Sequence, residues 1–191
     1  MKILGINGSP RIGGNTDILL DHALNGARSV GADVEKIILN NLNLKPCLEC
    51  LDARKDGVCI VNDDLQMVYK KIDKAQGIIL ASPIFFGSLS AQTKIMIDRF
   101  QCLWMAKYVY KSVPIKKRKP GVFISVEGSK ISKFFDNAKS IVQNFFVTID
   151  VDYTEELFCL GVNKKGSVLK QTDFLKKAFN LGLKIAKTLD I

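Results

Sequence analysis

The sequence lacks the features that mark several large classes of protein. It has 14 glycines and 5 prolines, too few for a collagen-like or linker-dominated chain. Its 5 cysteines are too few and too unevenly spaced for the disulfide framework of a secreted protein of this size. No stretch reaches the roughly 18 apolar residues of a membrane helix. Since the segment from Met1 to Ile6 also lacks the apolar core and cleavage site of a signal peptide, we expect a cytoplasmic protein with no membrane partner.

The composition that is present is typical of a globular protein. Hydrophobic residues make up 47% and charged residues 25% of the 191 residues, and we find no internal repeat or linker. We therefore expect one domain over residues 1–191. The net charge of +9 permits weak attraction to acidic partners. Because no nucleic-acid-binding module is recognisable, we expect no nucleic-acid partner.

Short β-rich runs alternate with longer helical patterns along the chain. The predicted strands are Lys2–Asn7, Val34–Leu39, Gly77–Ser82, Val122–Val126 and Glu156–Leu160. The predicted helices are Thr16–Val30, Asp63–Lys74, Ala91–Met105, Lys133–Ile149 and Thr172–Leu189. Repeated βα units of this kind predict an α/β protein with a five-stranded parallel sheet and helices on both faces. Right-handed crossovers favour the flavodoxin-like strand order 2-1-3-4-5.

The first loop, Gly8 to Thr16, joins the first predicted strand to the first helix. Its glycines allow the backbone to approach an anion, and the start of a helix directs free N–H groups and a positive dipole end toward it. The loop fits neither the Walker A pattern nor G-x-G-x-x-G, so we expect a terminal phosphate rather than a dinucleotide pyrophosphate. The alternative is a glycine-rich turn in which Asn15 or Thr16 caps the helix and no ligand binds.

A second motif follows the third predicted strand, where Ser82 to Ser90 reads SPIFFGSLS. Lys94 and the triplet Ile97-Asp98-Arg99 follow in the next helix. Together with the Gly8–Thr16 loop, these residues resemble the NAD(P)H-dependent FMN reductase and iron–sulfur flavoprotein group of the flavodoxin-like fold. The resemblance covers about residues 1–130 by motif and the whole chain by order of elements.

The resemblance implies a set of cofactor-binding residues in three loops. The FMN phosphate would be held by Ser9, Arg11, Gly14, Asn15 and Thr16. The isoalloxazine ring would be surrounded by Pro83, Ile84, Phe85, Phe86, Gly87 and Ser88, with Glu127 and Gly128 as the third contact. These loops would meet where ligands bind in such sheets, at the carboxyl ends of the strands. Plain core packing is the alternative for Phe85 and Phe86.

The cysteines form a second cluster. Cys47 and Cys50 match the first two positions of the four-cysteine motif of iron–sulfur flavoproteins and Cys59 can match the last, but Ala53 stands at the third. A four-iron cluster normally takes four thiolates, so we expect reduced thiols and no metal. An iron–sulfur cluster at these cysteines, a zinc site and a C-x-x-C dithiol are the alternatives. Cys102 and Cys159 are expected in the core.

These features predict an FMN-binding oxidoreductase that takes electrons from NAD(P)H and passes them to a small-molecule or protein acceptor. Because the flavin carries such chemistry, no catalytic side chain is expected. The alternatives are an FMN-binding electron carrier without nicotinamide turnover and a flavin-independent binding protein. The segment Ala106–Lys119 is basic, which indicates a solvated turn or a surface for anionic partners. We also expect this segment to contact a neighbouring subunit in a homodimer.

Overall fold

The computed structural model describes residues 1–50 and 55–189. Its centre is a parallel sheet whose strands lie in the order β2-β1-β3-β5-β6. The strands are β1 (Lys2–Asn7), β2 (Asp33–Ile38), β3 (Gly77–Phe85), β4 (Ser88–Leu89), β5 (Lys119–Glu127) and β6 (Val151–Leu160). Leaving out β4, which pairs only with β3, this is the predicted five-strand order, and the prediction is confirmed.

Helices cover both faces of the sheet. They are α1 (Asn15–Arg28), α2 (Leu65–Lys74), α3 (Ala91–Asp98), α4 (Gln101–Trp104), α5 (Phe134–Thr148) and α6 (Thr172–Thr188). Two short 3-10 turns lie at Leu39–Asn41 and Ser167–Lys170, and a π-helical turn spans Met105–Val109. None of the helices in the described residues is both long enough and apolar enough to cross a bilayer.

Side-chain alternation explains how the central strands bury both faces. In β3, Ile78 and Leu80 join the core beneath α2 and α5, whereas Ile79 and Ala81 join the core beneath α1 and α6. Successive side chains of a strand point to opposite faces, so an unbroken apolar run suits a strand that is covered on both sides. All four of these side chains are fully buried.

On one face, α1 and α6 pack with their backbones in contact. A Cβ added at Gly182 would lie 1.6 Å from the carbonyl oxygen of Ala23, and one added at Gly26 would lie 1.9 Å from that of Phe179. Only glycine permits so close an approach. The pair brings the C-terminal helix against the helix that begins at the first loop.

Several predicted boundaries are wrong. The third strand extends beyond Ser82 to Phe85, because the chain continues into a short hairpin with β4. The predicted helix Ala91–Met105 ends at Asp98 and restarts at Gln101. Tertiary contacts account for this break, since the Tyr69 hydroxyl donates a hydrogen bond of 2.6 Å to the backbone oxygen of Arg99. The last strand starts at Val151 rather than Glu156.

Candidate functional site

The loops that follow β1, β3, β5 and β6 enclose a cleft of about 300 Å³ at the carboxyl ends of the strands. This volume is at the lower end of the range for small-molecule sites. The lining residues are Ser9, Arg11, Gly14, Asn15, Thr16, Pro83, Ile84, Phe85, Val126, Glu127, Gly128, Ser129, Val162, Asn163 and Lys165. The structure thus brings together ten of the thirteen predicted site residues. Phe86, Gly87 and Ser88 lie outside this lining, at the tip of the β3–β4 hairpin.

Buried hydroxyl groups hold the first two loops against each other. The Ser90 hydroxyl donates to the backbone oxygen of Gly8 at 2.6 Å, and Ser82 and Thr93 hydrogen-bond with each other at 3.1 Å beside it. A Cβ at Gly8 would lie 1.8 Å from the Thr93 hydroxyl oxygen, so a larger residue there would displace this network. The glycine of the first motif and the serines of the second are therefore parts of one contact.

The N-terminus of α1 faces the cleft without a side-chain cap. Gly14 occupies the N-cap position, so the alternative in which Asn15 or Thr16 caps the helix is wrong. Thr16 is only 2% exposed, lines the cleft, and its hydroxyl has no hydrogen-bond partner among the described residues. Uncapped backbone N–H groups and a positive dipole end attract anions. This end of the cleft is therefore suited to a phosphate.

A buried carboxylate shapes the same loop. Asp17 accepts hydrogen bonds of 2.7 Å from the backbone N–H of Gly13 and from the Asn7 amide. Lys36 lies 2.6 Å from the Asp17 carboxylate and offsets its negative charge. Burial lowers the pKa of Lys36, but its hydrogen bonds to Asp17 and Asp21 raise that pKa more, so the net direction is upward. Lys36 is therefore protonated at neutral pH.

Asn15 lines the cleft, but its side chain is engaged with the segment after β6. Its amide nitrogen donates to the backbone oxygens of Val162, at 3.2 Å, and Lys164, at 2.9 Å. Its amide oxygen accepts a bond of 3.1 Å from the backbone N–H of Val168. What Asn15 can offer an anion directly is therefore its backbone N–H at the start of α1.

Sequence reasoning missed the contribution of the segment after β6. Val162, Asn163 and Lys165 line the cleft, although none of them belongs to either motif. The adjacent pair Lys164-Lys165, followed by a glycine, was the available signal, since a basic turn at a strand's carboxyl end can face an anion.

The hairpin after β3 presents aromatic side chains to solvent. Phe85 is 40% exposed, and Phe86, whose backbone φ is +50°, is fully exposed. Plain core packing is therefore wrong for both rings. The backbone oxygen of Gly87 accepts a 2.9 Å hydrogen bond from the Asn137 side chain, which ties the hairpin to α5.

The cysteine cluster forms a separate small cavity of about 30 Å³, lined by Cys47, Cys50, Cys59 and Cys102 beside Arg99. The Arg99 Nε donates to the sulfur of Cys59 at 3.1 Å. Burial raises the pKa of Cys102 to about 11. No group of three or more His, Cys, Asp or Glu residues within 1–50 and 55–189 is arranged to bind a metal ion. Ala53 lies outside the described residues. Cys159 is buried in the core as expected, but Cys102 is only half-buried and lines this cavity, so the expectation that it belongs to the core is wrong.

The strand order and the position of the cleft define a flavodoxin-like α/β protein. Over its full length, a flavodoxin from the domain Archaea aligns with this chain at a TM-score of 0.60 and 14% identity, covering 100% of both chains. A flavone reductase aligns at a TM-score of 0.74 and 24% identity, covering 98% of this chain and 62% of that one. Both likenesses support the fold.

Sequence comparison identifies the family. Residues 1–139 match the NADPH-dependent FMN reductase family, and the chain belongs to this family of flavin-binding oxidoreductases. An iron–sulfur flavoprotein of Methanocaldococcus jannaschii is 34% identical over 202 residues, covering 100% of this chain and 98% of the relative. A Bacillus subtilis protein, named provisionally as an NAD(P)H-dependent FMN-containing oxidoreductase, is 36% identical over 100 residues, covering 52% of each chain.

The donor set does not fit the cluster that the name of the Methanocaldococcus relative implies. The loop carries alanine at one of the four motif positions. In addition, a buried guanidinium lies against the sulfur of Cys59. A four-iron cluster normally requires four thiolates. We therefore assign no chemical step to an iron–sulfur cluster.

Proposed function

We propose that this protein binds FMN in the 300 Å³ cleft and transfers electrons from NAD(P)H to a small-molecule or protein acceptor. The observation that carries the proposal is the convergence of four loops on one cleft, which includes an uncapped helix N-terminus and a Thr16 hydroxyl without a hydrogen-bond partner within residues 1–50 and 55–189. Two apolar side chains also line the cleft: Ile84, which is buried, and Phe85, which is 40% exposed.

Each part of the cleft has a distinct role in this proposal. Ser9, Arg11 and Thr16, together with the backbone of Gly14 and Asn15, would bind the phosphate. Pro83, Ile84 and Phe85 would line the ring, with Glu127 and Gly128 on the facing loop. Backbone N–H groups near Phe86 and Gly87 would stabilise negative charge on the reduced ring, as donors directed at developing charge do.

When bound, FMN supplies the capacity to accept a hydride and to release electrons singly or in pairs. The chain's own residues would bind and orient the FMN and shield it from water. We identify no side chain that must move a proton, so no catalytic residue is proposed. Phe86, at the tip of the hairpin after β3, is fully exposed. We propose that a nicotinamide or an acceptor approaches the cleft beside this hairpin.

The proposal is tested with protein purified anaerobically. We expect flavin absorption bands without the broad shoulder of an iron–sulfur cluster, and oxidation of NADH or NADPH when a quinone is supplied. Full flavin content with no turnover from either donor would instead favour an electron carrier. A colourless protein that takes up no added FMN would contradict the proposal.

A substitution at Thr16 tests the proposed phosphate site. Thr16→Val keeps the shape of the side chain but removes the hydroxyl, and we expect it to weaken FMN binding about fivefold to tenfold, the effect of one lost hydrogen bond. Thr188→Val is the control, because Thr188 lies at the far end of α6 and its hydroxyl bonds only within that helix. Equal FMN affinity in the wild type and Thr16→Val would contradict the assignment.

We further propose that the protein is cytoplasmic and forms a homodimer through Ala106–Lys119. The support is the exposure of large apolar side chains in this segment, where Val109 is 50% and Ile115 is 60% exposed. Trp104, just before it, is 40% exposed. Exposed apolar groups close together are typical of protein interfaces.

A further inference from the structure

We propose that Lys165, held in place by Asn15, binds the phosphate of the ligand and makes the cleft selective for phosphorylated over unphosphorylated flavin. The inference rests on the proposed function and deepens it. It concerns a lysine outside the residues that match the family, which end at 139. It also gives Asn15 a different role from the direct phosphate donor that the motif implies.

The side chain of Lys165 lies beside the first loop. Its side chain lies along the Gly13–Gly14 loop, because a Cβ added at Gly13 would lie 3.7 Å from the Lys165 Cε and 4.0 Å from its Nζ. Lys165 and Thr16 also line the same cleft. The ammonium group of Lys165 is therefore at the same end of the cleft as the uncapped start of α1.

The backbone that carries Lys165 is a defined turn. The N–H of Ser167 donates to the oxygen of Lys164 at 3.0 Å, which closes a four-residue turn. Gly166 has φ 74° and ψ 1°, the values of the third residue of a type II turn. Lys165 is thus the second residue of the turn, and its side chain projects from the tip.

Asn15 fixes this turn to the first loop. Three hydrogen bonds join its side chain to the backbones of Val162, Lys164 and Val168, about 150 residues away in sequence. The oxygen of Lys164 accepts both from Asn15 and from Ser167. Asn15 is 8% exposed, so these bonds are protected from water. Asn15 is therefore a positioning residue that acts through the turn.

The positive charges at this end of the cleft favour the binding of an anion. Lys165 and Arg11 are exposed, and neither side chain has an ion-pair or hydrogen-bond partner among the described residues. The carboxylate of Asp17, by contrast, is already paired with Lys36. Two unpaired cations, a helix N-terminus and the Thr16 hydroxyl match the charge and the acceptor oxygens of a phosphate dianion. Unphosphorylated riboflavin ends in a neutral hydroxyl at this position and lacks the negative charge and the phosphate oxygens.

The test compares FMN with riboflavin. In Lys165→Met we expect FMN to bind about tenfold more weakly, as for a lost charge-assisted hydrogen bond, while riboflavin affinity is unchanged. Lys165→Arg should restore FMN affinity. Lys164→Met is the matched control, because Lys164 belongs to the same turn but its side chain does not line the cleft. Dissociation constants are measured by quenching of flavin fluorescence at low and high salt. We expect the FMN dissociation constant to depend less on salt in Lys165→Met than in the wild type, and to keep its salt dependence in Lys164→Met.

The role of Asn15 is tested in a double-mutant cycle. Asn15→Ala should lower the preference for FMN over riboflavin in the wild type and have little further effect on that preference in Lys165→Met. Equal losses in Lys164→Met and Lys165→Met, or equal losses for FMN and riboflavin, would overturn the inference. If the wild type binds neither flavin, the proposed function itself fails.

Discussion

Arg99 is a buried residue outside the cleft whose side chain makes several hydrogen bonds. Its side chain is fully buried and pairs with Asp63 through both terminal nitrogens, at 2.7 and 3.3 Å. It also donates to the backbone oxygens of Lys45 and Val61. Arg99 thus joins both ends of the segment that carries the cysteines to α3. A buried ion pair of this kind is costly to break, because the remaining charge is left without a partner.

The Asp63–Arg99 pair predicts a loss of stability in acid. Burial raises the pKa of Asp63, but hydrogen bonds from Arg99 and from the backbone N–H groups of Lys45 and Leu65 lower that pKa more, so the net direction is downward. The folded state therefore binds the proton more weakly than the unfolded state. The stabilisation is complete above about pH 4 and is lost as the pH falls through the depressed pKa.

Asp63→Asn tests this pair. We expect a loss of about 3–5 kcal/mol in unfolding free energy at neutral pH and a smaller dependence of the remaining stability on pH below 4. Asp98→Asn is the control, because Asp98 forms an exposed pair with Lys94. Denaturant unfolding between about pH 3 and pH 7 measures both effects. Equal losses in the two variants would contradict the prediction.

For individual residues, most of the candidate site could be predicted from the sequence, but not all of its contacts. The glycines and hydroxyl residues of the two motifs predicted which loops meet, because both motifs directly follow predicted strands. The bonds of Asn15 to Val162, Lys164 and Val168 were not predictable. They depend on how α6 and the turn before it pack, and nothing in the local sequence specifies a contact across about 150 residues.

Among the elements, the α1–α6 contact is the one most sensitive to a single methyl group. Gly182→Ala would place a Cβ 1.6 Å from the backbone oxygen of Ala23, and a rigid helix backbone cannot yield as a side chain can. The helices must separate, so we expect unfolding free energy to fall by at least about 2 kcal/mol.

Asn180→Ala is the control for this prediction, since Asn180 is an exposed residue of the same helix. It should leave the midpoint of thermal unfolding within about a degree of the wild type, as expected of a surface substitution. A Gly182→Ala protein as stable as Asn180→Ala would show that α1 and α6 are not in contact as described.

The elements also show where sequence patterns fail. Strand order followed from alternating βα units and the handedness of crossovers, which are general properties of chains. The helix predicted over Ala91–Met105 has suitable periodicity, yet it breaks at Arg99 and Phe100. The Tyr69 hydroxyl and the Cys102 sulfur both bond to the Arg99 backbone oxygen. The bond from Cys102 is local, whereas the bond from Tyr69 is a tertiary contact, and tertiary contacts of this kind override local helix propensity.

For the whole molecule, the exposed apolar side chains of Ala106–Lys119 predict self-association. We expect sedimentation at about twice the chain mass of 21.2 kDa. A Val109→Asp, Ile115→Asp double variant should sediment as a monomer, because charged groups are costly to bury in an interface. Leu169→Asp is the control, since Leu169 is 57% exposed on a different surface. A monomeric wild type would contradict the prediction.

The fastening of the two loops by Ser82, Ser90 and Thr93 bears on how a ligand enters. Because these hydrogen bonds fix the spacing of the two loops before a ligand binds, the loops lose little conformational entropy on binding. Affinity then reflects complementarity of shape and charge rather than the cost of ordering the protein. A small ligand should therefore bind without a slow conformational change of the protein.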